Sequence, residues 1–152
     1  MTRRFIKIML LPYWRLTRGM TFGVQAVIVK EGCEVLLIRH GYRPGWHFPG
    51  GGVEWRETLL TALAREVKEE TGVVIGGQPR LHGVFANFKT SPSDHVALFL
   101  VESWEQPNVP KPGFEIREQR FFPLAALPAD TVGGVRRRLM EIFGGEPIGE
   151  HW

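Results

Sequence analysis

Apolar and polar positions divide the chain into short runs with distinct periods. Residues 22–29 are dense in β-branched and other apolar side chains and predict a strand. Glu31 and Gly32 supply a turn, and residues 34–39 predict the returning strand of a hairpin. Residues 41–52 are crowded with Gly, Pro and aromatic side chains and predict a loop. Residues 57–71 change to a helical period, closed by Gly72 where a left-handed cap is expected. Further strands are predicted over 81–88, 95–101 and 114–122. Asp130 is positioned to cap a last helix, in which Val132, Val135, Leu139 and Ile142 repeat at helical spacing before Gly144. Strands and helices mixed in this order predict an α/β sandwich built as one domain.

The helix over 57–71 carries an unusual polar face. Projected at about 100° per residue, Leu60, Leu63, Ala64, Val67 and Thr71 form an apolar stripe expected to be buried. Glu66, Glu69 and Glu70 line one edge of that stripe. Glu66 and Glu70 stand i, i+4 apart, where like charges repel, and only Arg65 (i, i+4 from Glu69) offsets them. A hard divalent cation relieves such crowding, because Mg²⁺ takes carboxylate oxygens and fills its other positions with water and substrate phosphates. A solvated acidic face is the alternative that three glutamates alone leave open.

Composition narrows the options. With 152 residues and 43% apolar side chains the chain can bury one compact core. Lys and Arg number 19 against 16 Asp and Glu, a net charge of +3 that suits an anionic small molecule without requiring nucleic acid. Cys33 is the only cysteine, which rules out an intrachain disulfide and a thiolate metal site. No apolar run reaches the roughly 20 residues that cross a bilayer. Residues 1–19 form a basic apolar segment containing Arg3, Arg4, Lys7, Arg15 and Arg18 with no acid before Glu31. Lys7 and Pro12 interrupt it, and no small-residue cleavage site follows, so it does not read as a secretory signal. Packing on the domain or in a homodimer is the favoured reading, and membrane contact the rival. The expected compartment is the cytoplasm.

Gly51, Glu57, Arg65, Glu66, Val67, Glu69, Glu70, Gly72 and Val73 together resemble the complete Nudix box. The spacing is Gly, five residues, Glu, seven residues, Arg-Glu-aliphatic, one residue, Glu-Glu, one residue, Gly-aliphatic. The resemblance extends through Trp46 to Gly51 and covers residues 20–143, leaving 144–152 as a C-terminal tail. It implies the Nudix fold, an α/β/α sandwich with a mixed β-sheet. It also implies hydrolysis of a phosphoanhydride bond in a nucleotide-like diphosphate, with Mg²⁺ as cofactor or Mn²⁺ as substitute. By the same resemblance Glu66, Glu69 and Glu70 are metal ligands, joined by the Gly51 carbonyl, while Glu57 and Arg65 are structural partners. The base that takes the attacking water's proton is Glu69 or a glutamate from a later loop, for which Glu115 is the candidate; an exposed residue at the strand start is the other reading of Glu115.

Arg39, Arg43 and His47 flank the loop before the box and are candidate phosphate contacts. Trp46 and Phe48 are candidates for stacking on a base or for pinning the loop in the core. His95 is a candidate base or phosphate ligand, or else structural. Lys89 and Ser91 stand where family members acting on ADP-ribose or on dinucleoside polyphosphates often carry proline and tyrosine, so no substrate is named. A nucleotide-sensing Nudix module without catalysis is an alternative, disfavoured by the intact glutamates. An RNA 5′-end pyrophosphohydrolase is another, disfavoured because basic residues outside the N-terminus are scattered rather than grouped with aromatics.

Overall fold

The computed structural model describes residues 19–152; the segment read at 1–19 therefore lies, but for its last residue, outside the described residues. Among the described residues nine strands and two helices follow in order. They are β1 (Thr21–Lys30), β2 (Glu34–His40), β3 (Trp46–His47), β4 (Gly50–Gly52), helix α1 (Leu59–Thr71), β5 (Val74–Ile75), β6 (Arg80–Ala86), β7 (Asp94–Val101), β8 (Trp104–Glu105), β9 (Ile116–Pro123) and helix α2 (Gly133–Phe143). One 3-10 turn, Leu124–Ala126, precedes α2.

Seven strands form a mixed sheet ordered β3-β2-β1-β7-β6, with β4 against β1 and β9 against β2. β5 and β8 make a separate two-stranded ribbon. β1 and β7 run parallel, from Thr21 opposite Asp94 to Ile28 opposite Val101. β1 is apolar on both faces because both are covered. Val24, Ala26 and Ile28 pack with Ala62, Leu63 and Val67 of α1, while Val27 and Val29 pack with Val135 and Leu139 of α2. One helix on each face gives the expected α/β/α sandwich.

Several boundaries move for physical reasons. α1 begins at Leu59, because Thr58 caps it by accepting the Thr61 backbone N–H at 3.2 Å. Gly72 closes it at φ 76°, a left-handed position where a Cβ would also strike the Asn108 carbonyl. Asp130 does not cap α2, which starts only at Gly133 after Val132. Its carbonyl instead accepts the Trp46 N–H and its carboxylate takes Arg39, so 130–132 runs alongside Trp46. β6 stops at Ala86 because Asn87 turns the chain, its amide reaching Thr90 and Asp94. β9 starts at Ile116, after a turn closed by the Gly113 N–H on the Ile116 carbonyl.

The loop over 41–52 contains two short strands. Gly50, Gly51 and Gly52 of β4 pair with Gln25, Val24 and Gly23 of β1. The tail also returns to the sheet. Ala86 donates to the Glu150 carbonyl, and Trp152 donates to that of Ala86. The Trp152 ring packs edge-on against Phe48 and Phe85. Among the described residues no helix is long and apolar enough to cross a membrane.

Candidate active site

The buried face of α1 is rotated from the projected stripe. Leu60, 39% exposed, and Ala64 face outward, while Ala62 and Glu70 turn inward with Leu63, Val67 and Thr71. The reason lies under the helix: β4 consists of three glycines, so the sheet offers backbone rather than side chains there, and a carboxylate can descend onto it. Glu70 is accordingly not at the helix edge but only 6% exposed, and its Oε2 accepts the Gly50 N–H at 2.7 Å. Glu66 is half-buried, and the Glu69 side chain remains 64% exposed. The three glutamates thus stand at three depths.

Gly51 sits directly beneath Glu66. A Cβ on Gly51 would meet the Glu66 carboxyl carbon at 2.5 Å. Arg65 closes the other side. Its Nε and Nη2 donate to both oxygens of Glu57 at 2.9 Å, its Nη1 donates to Glu66 at 2.7 Å, and Nη2 also reaches the Gly52 carbonyl at 3.1 Å. The Glu57–Arg65 fork therefore ties the segment before α1 to the helix and to β4. That guanidinium holds the Glu57 carboxyl down to about 2.

Glu66, Glu69 and Glu70 form one wall of a cleft of about 590 Å³ whose opposite wall runs from Val109 to Gln119 and includes Glu115. Glu115 is exposed and lies just before β9. The Glu70 carboxyl is pushed up to about 8, first by burial and then by the charges of Glu66 and Glu115, against the Gly50 N–H and Arg43. Negative charge is therefore under-compensated in this cleft. Among the described residues no three carboxylate, imidazole or thiolate groups already converge into a full cation cage. An all-oxygen donor set with excess negative charge nonetheless fits a hard divalent cation that draws its remaining ligands from water and phosphate.

The other candidates separate. Arg43 stands close enough to Glu70 for its charge to favour the carboxylate, and its Nη2 donates to His40 Nε2 at 2.6 Å. His47 donates from Nε2 to the Pro44 carbonyl at 2.8 Å, with its ring 5.4 Å from that of His40. Burial lowers the His47 imidazole below its ordinary value, assisted by Arg43. Arg39 is not brought to the glutamates: it pairs with Asp130 at 2.8 Å and lies over the Trp46 ring. Trp46 and Phe48 are buried core residues, which settles their reading as loop anchors. His95 stacks on Phe22, and Lys89 and Ser91 fall in the turn between β6 and β7. The sequence reading missed His40 alone of this group; it is buried, and desolvation, with the charges of Arg43 and His47, lowers its imidazole to about 4. A histidine at the end of an apolar strand carried no mark beyond its place three residues before Arg43.

Comparison with known proteins agrees with this architecture. The family model of the NUDIX domain matches residues 20–142. An ADP-ribose pyrophosphatase of Methanocaldococcus jannaschii is 32% identical over 130 residues, covering 84% of this chain and 76% of that protein. An 8-oxo-dGDP phosphatase of Homo sapiens is 44% identical over 62 residues, which span 39% of this chain and only 19% of the human one. Among solved structures, the MutT NUDIX hydrolase of Burkholderia pseudomallei superposes with a TM-score of 0.69 at 27% identity, over 82% of this chain and 98% of that one.

Proposed function

The chain belongs to the Nudix family, and from that premise we propose that it hydrolyses a phosphoanhydride bond in a nucleoside diphosphate linked to another moiety. The observation that carries this reading is the seating of Glu70 on the Gly50 N–H beside Glu66, facing Glu115 across an open cleft. The relatives named for ADP-ribose and for 8-oxo-dGDP share a nucleoside diphosphate core, which supports the substrate class.

Glu66, Glu69 and Glu70, with the Gly51 carbonyl, are the groups that would hold Mg²⁺ or Mn²⁺. Such a cation, when bound, neutralises the diphosphate and eases deprotonation of water. The residues do the rest. Arg65 fixes Glu66 over β4, so the donor is in place before substrate arrives. Gly50 orients Glu70. The oxygen of a water molecule bonds to phosphorus, the bridging P–O bond breaks, and the leaving phosphate keeps that electron pair. The proton that water loses passes to Glu69 or Glu115, the two exposed carboxylates on opposite walls. Arg43, whose charge reaches Glu70, and His47 beside it in the same loop would contact the phosphate oxygens of the substrate.

The test is product release from ADP-ribose, nucleoside triphosphates, nucleotide sugars, dinucleoside polyphosphates and capped RNA, with Mg²⁺ or Mn²⁺. Hydrolysis of at least one nucleoside diphosphate derivative, lost in Glu66→Gln and Glu70→Gln, supports the reading. Tight binding without turnover across the panel would replace it with a nucleotide-sensing module.

A further inference from the structure

The hydrogen bond between Arg43 and His40 has a role the Nudix box does not supply. Arg43 is half-buried, and among the described residues its 2.6 Å bond to His40 Nε2 is the guanidinium's only hydrogen bond. Its Nε is buried without a partner, and the Tyr42 ring, 5.8 Å away, adds only a face. An arginine has five N–H donors and no acceptor, so the bond requires His40 Nε2 to be the acceptor and the imidazole to be neutral, with its proton on Nδ1. Burial and the charge of Arg43 both oppose protonation of His40, and its Nδ1 is buried without a hydrogen-bond partner among the described residues, so the contact with Arg43 alone sets the tautomer. His40 itself is packed in: it is 4% exposed at the end of β2, with the Tyr42 and His47 rings 5.0 and 5.4 Å away.

We propose that His40 is a positioning residue, whose Nε2 fixes the Arg43 guanidinium at the rim of the carboxylate cleft so that its remaining Nη–H donors receive a phosphate oxygen of the substrate. The proposal rests on the phosphoanhydride reading above. A guanidinium otherwise loses side-chain freedom on binding an anion; one already held in place loses less. The loop that carries Arg43 is tied to the carboxylate cleft, the Gly41 N–H donating to the Glu115 carbonyl at 2.9 Å.

His40→Phe removes the acceptor and keeps a ring of similar bulk, whereas His40→Gln returns an acceptor oxygen. Each is combined with Arg43 and with Arg43→Ala. Affinity for α,β-methylene-ADP, which resists hydrolysis between its phosphates, is measured by calorimetry, and kcat and KM with ADP-ribose. His40→Phe is expected to weaken both affinity and kcat/KM on the order of tenfold when Arg43 is present. In the Arg43→Ala background the same change should have almost no effect, and His40→Gln should recover part of the loss. Equal penalties in both backgrounds would mean that His40 only fills space, and would overturn the proposal. Should His40→Phe fail to fold, ¹⁵N NMR of the intact chain decides. The His40 Nε2 resonance must report an acceptor nitrogen and must move in Arg43→Ala; a resonance indifferent to Arg43 overturns the proposal. Absence of turnover in the wild-type chain defeats the hydrolase reading instead, and leaves the binding and NMR results to judge His40.

Discussion

The α-carbon of Gly51 lies so close under Glu66 that a Cβ there would fall 2.5 to 2.7 Å from all three carboxyl atoms. The backbone at Gly51 does not need glycine for its torsions; the carboxylate above it does. Gly51→Ala should therefore act on the site more than on the fold. It must push Glu66 aside and loosen the 2.7 Å bond from Arg65. A loss of about 10²-fold in kcat/KM is expected, with a far smaller shift in thermal midpoint. Steady-state kinetics beside thermal unfolding checks this, and unchanged kinetics would contradict the placement of Glu66.

Glu70→Gln should separate activity from stability. Removing the charge is expected to cost about 10²–10³-fold in kcat. Without divalent cation the variant should be more stable than the wild type at alkaline pH. The sign follows from the carboxyl held up to about 8: the unfolded chain releases its proton near the ordinary carboxylate range, so Glu70 costs stability that grows from roughly pH 4.5 to pH 8. The advantage of Glu70→Gln should therefore rise across that window and shrink at pH 4.5. Denaturant melts at several pH values in EDTA would show it, and a pH-independent difference would count against the buried carboxyl.

His40 gives the opposite slope. Its imidazole is lowered to about 4, while the unfolded chain takes up a proton near 6.5. Its contribution is intact above pH 6.5 and disappears as pH falls toward 4. Relative to the wild type, His40→Phe should gain stability as pH falls through that window. Between about 4.5 and 6.5 the His40 and Glu70 effects oppose each other, so only differences between variant and wild type reveal either one.

Activity should vanish on exhaustive chelation and return with Mg²⁺ or Mn²⁺. Ca²⁺ should restore it less well, since it takes more ligands at longer distances. Full turnover in EDTA would rule out the cation reading.

The sequence made the carboxylate helix legible because its information is local. Glu57, Arg65 and Glu66 interact within one loop and one helix, and their spacing encodes those contacts directly. The burial of Glu70 was not legible. The apolar count favoured Leu60 and Ala64 as the inward face, and only the bare backbone of β4 below the helix makes room for a carboxylate. Arg39 and Arg43 were equivalent as sequence. One is taken up by Asp130, 91 positions away, and the other turned toward Glu70 by a neighbouring histidine. A partner 91 positions away leaves no periodic trace, and a lone histidine three residues back marks no period either. The same holds for Trp152, which joins the core beside Phe48.

The parallel ladder between β1 and β7 bears on the order in which this molecule can assemble. Thr21 meets Asp94 across 73 positions, whereas Gly50 meets Glu70 across only 20. Short-range contacts form early and long loops close late. The β1–β2 hairpin and α1 can take shape as soon as they exist, but the ladder of β1, on which β4 rests, is complete only when β7 docks alongside it. Refolding followed at Trp46 and at the cleft should then show one shared slow phase, because the chemistry is written in a short stretch of chain while its foundation is not.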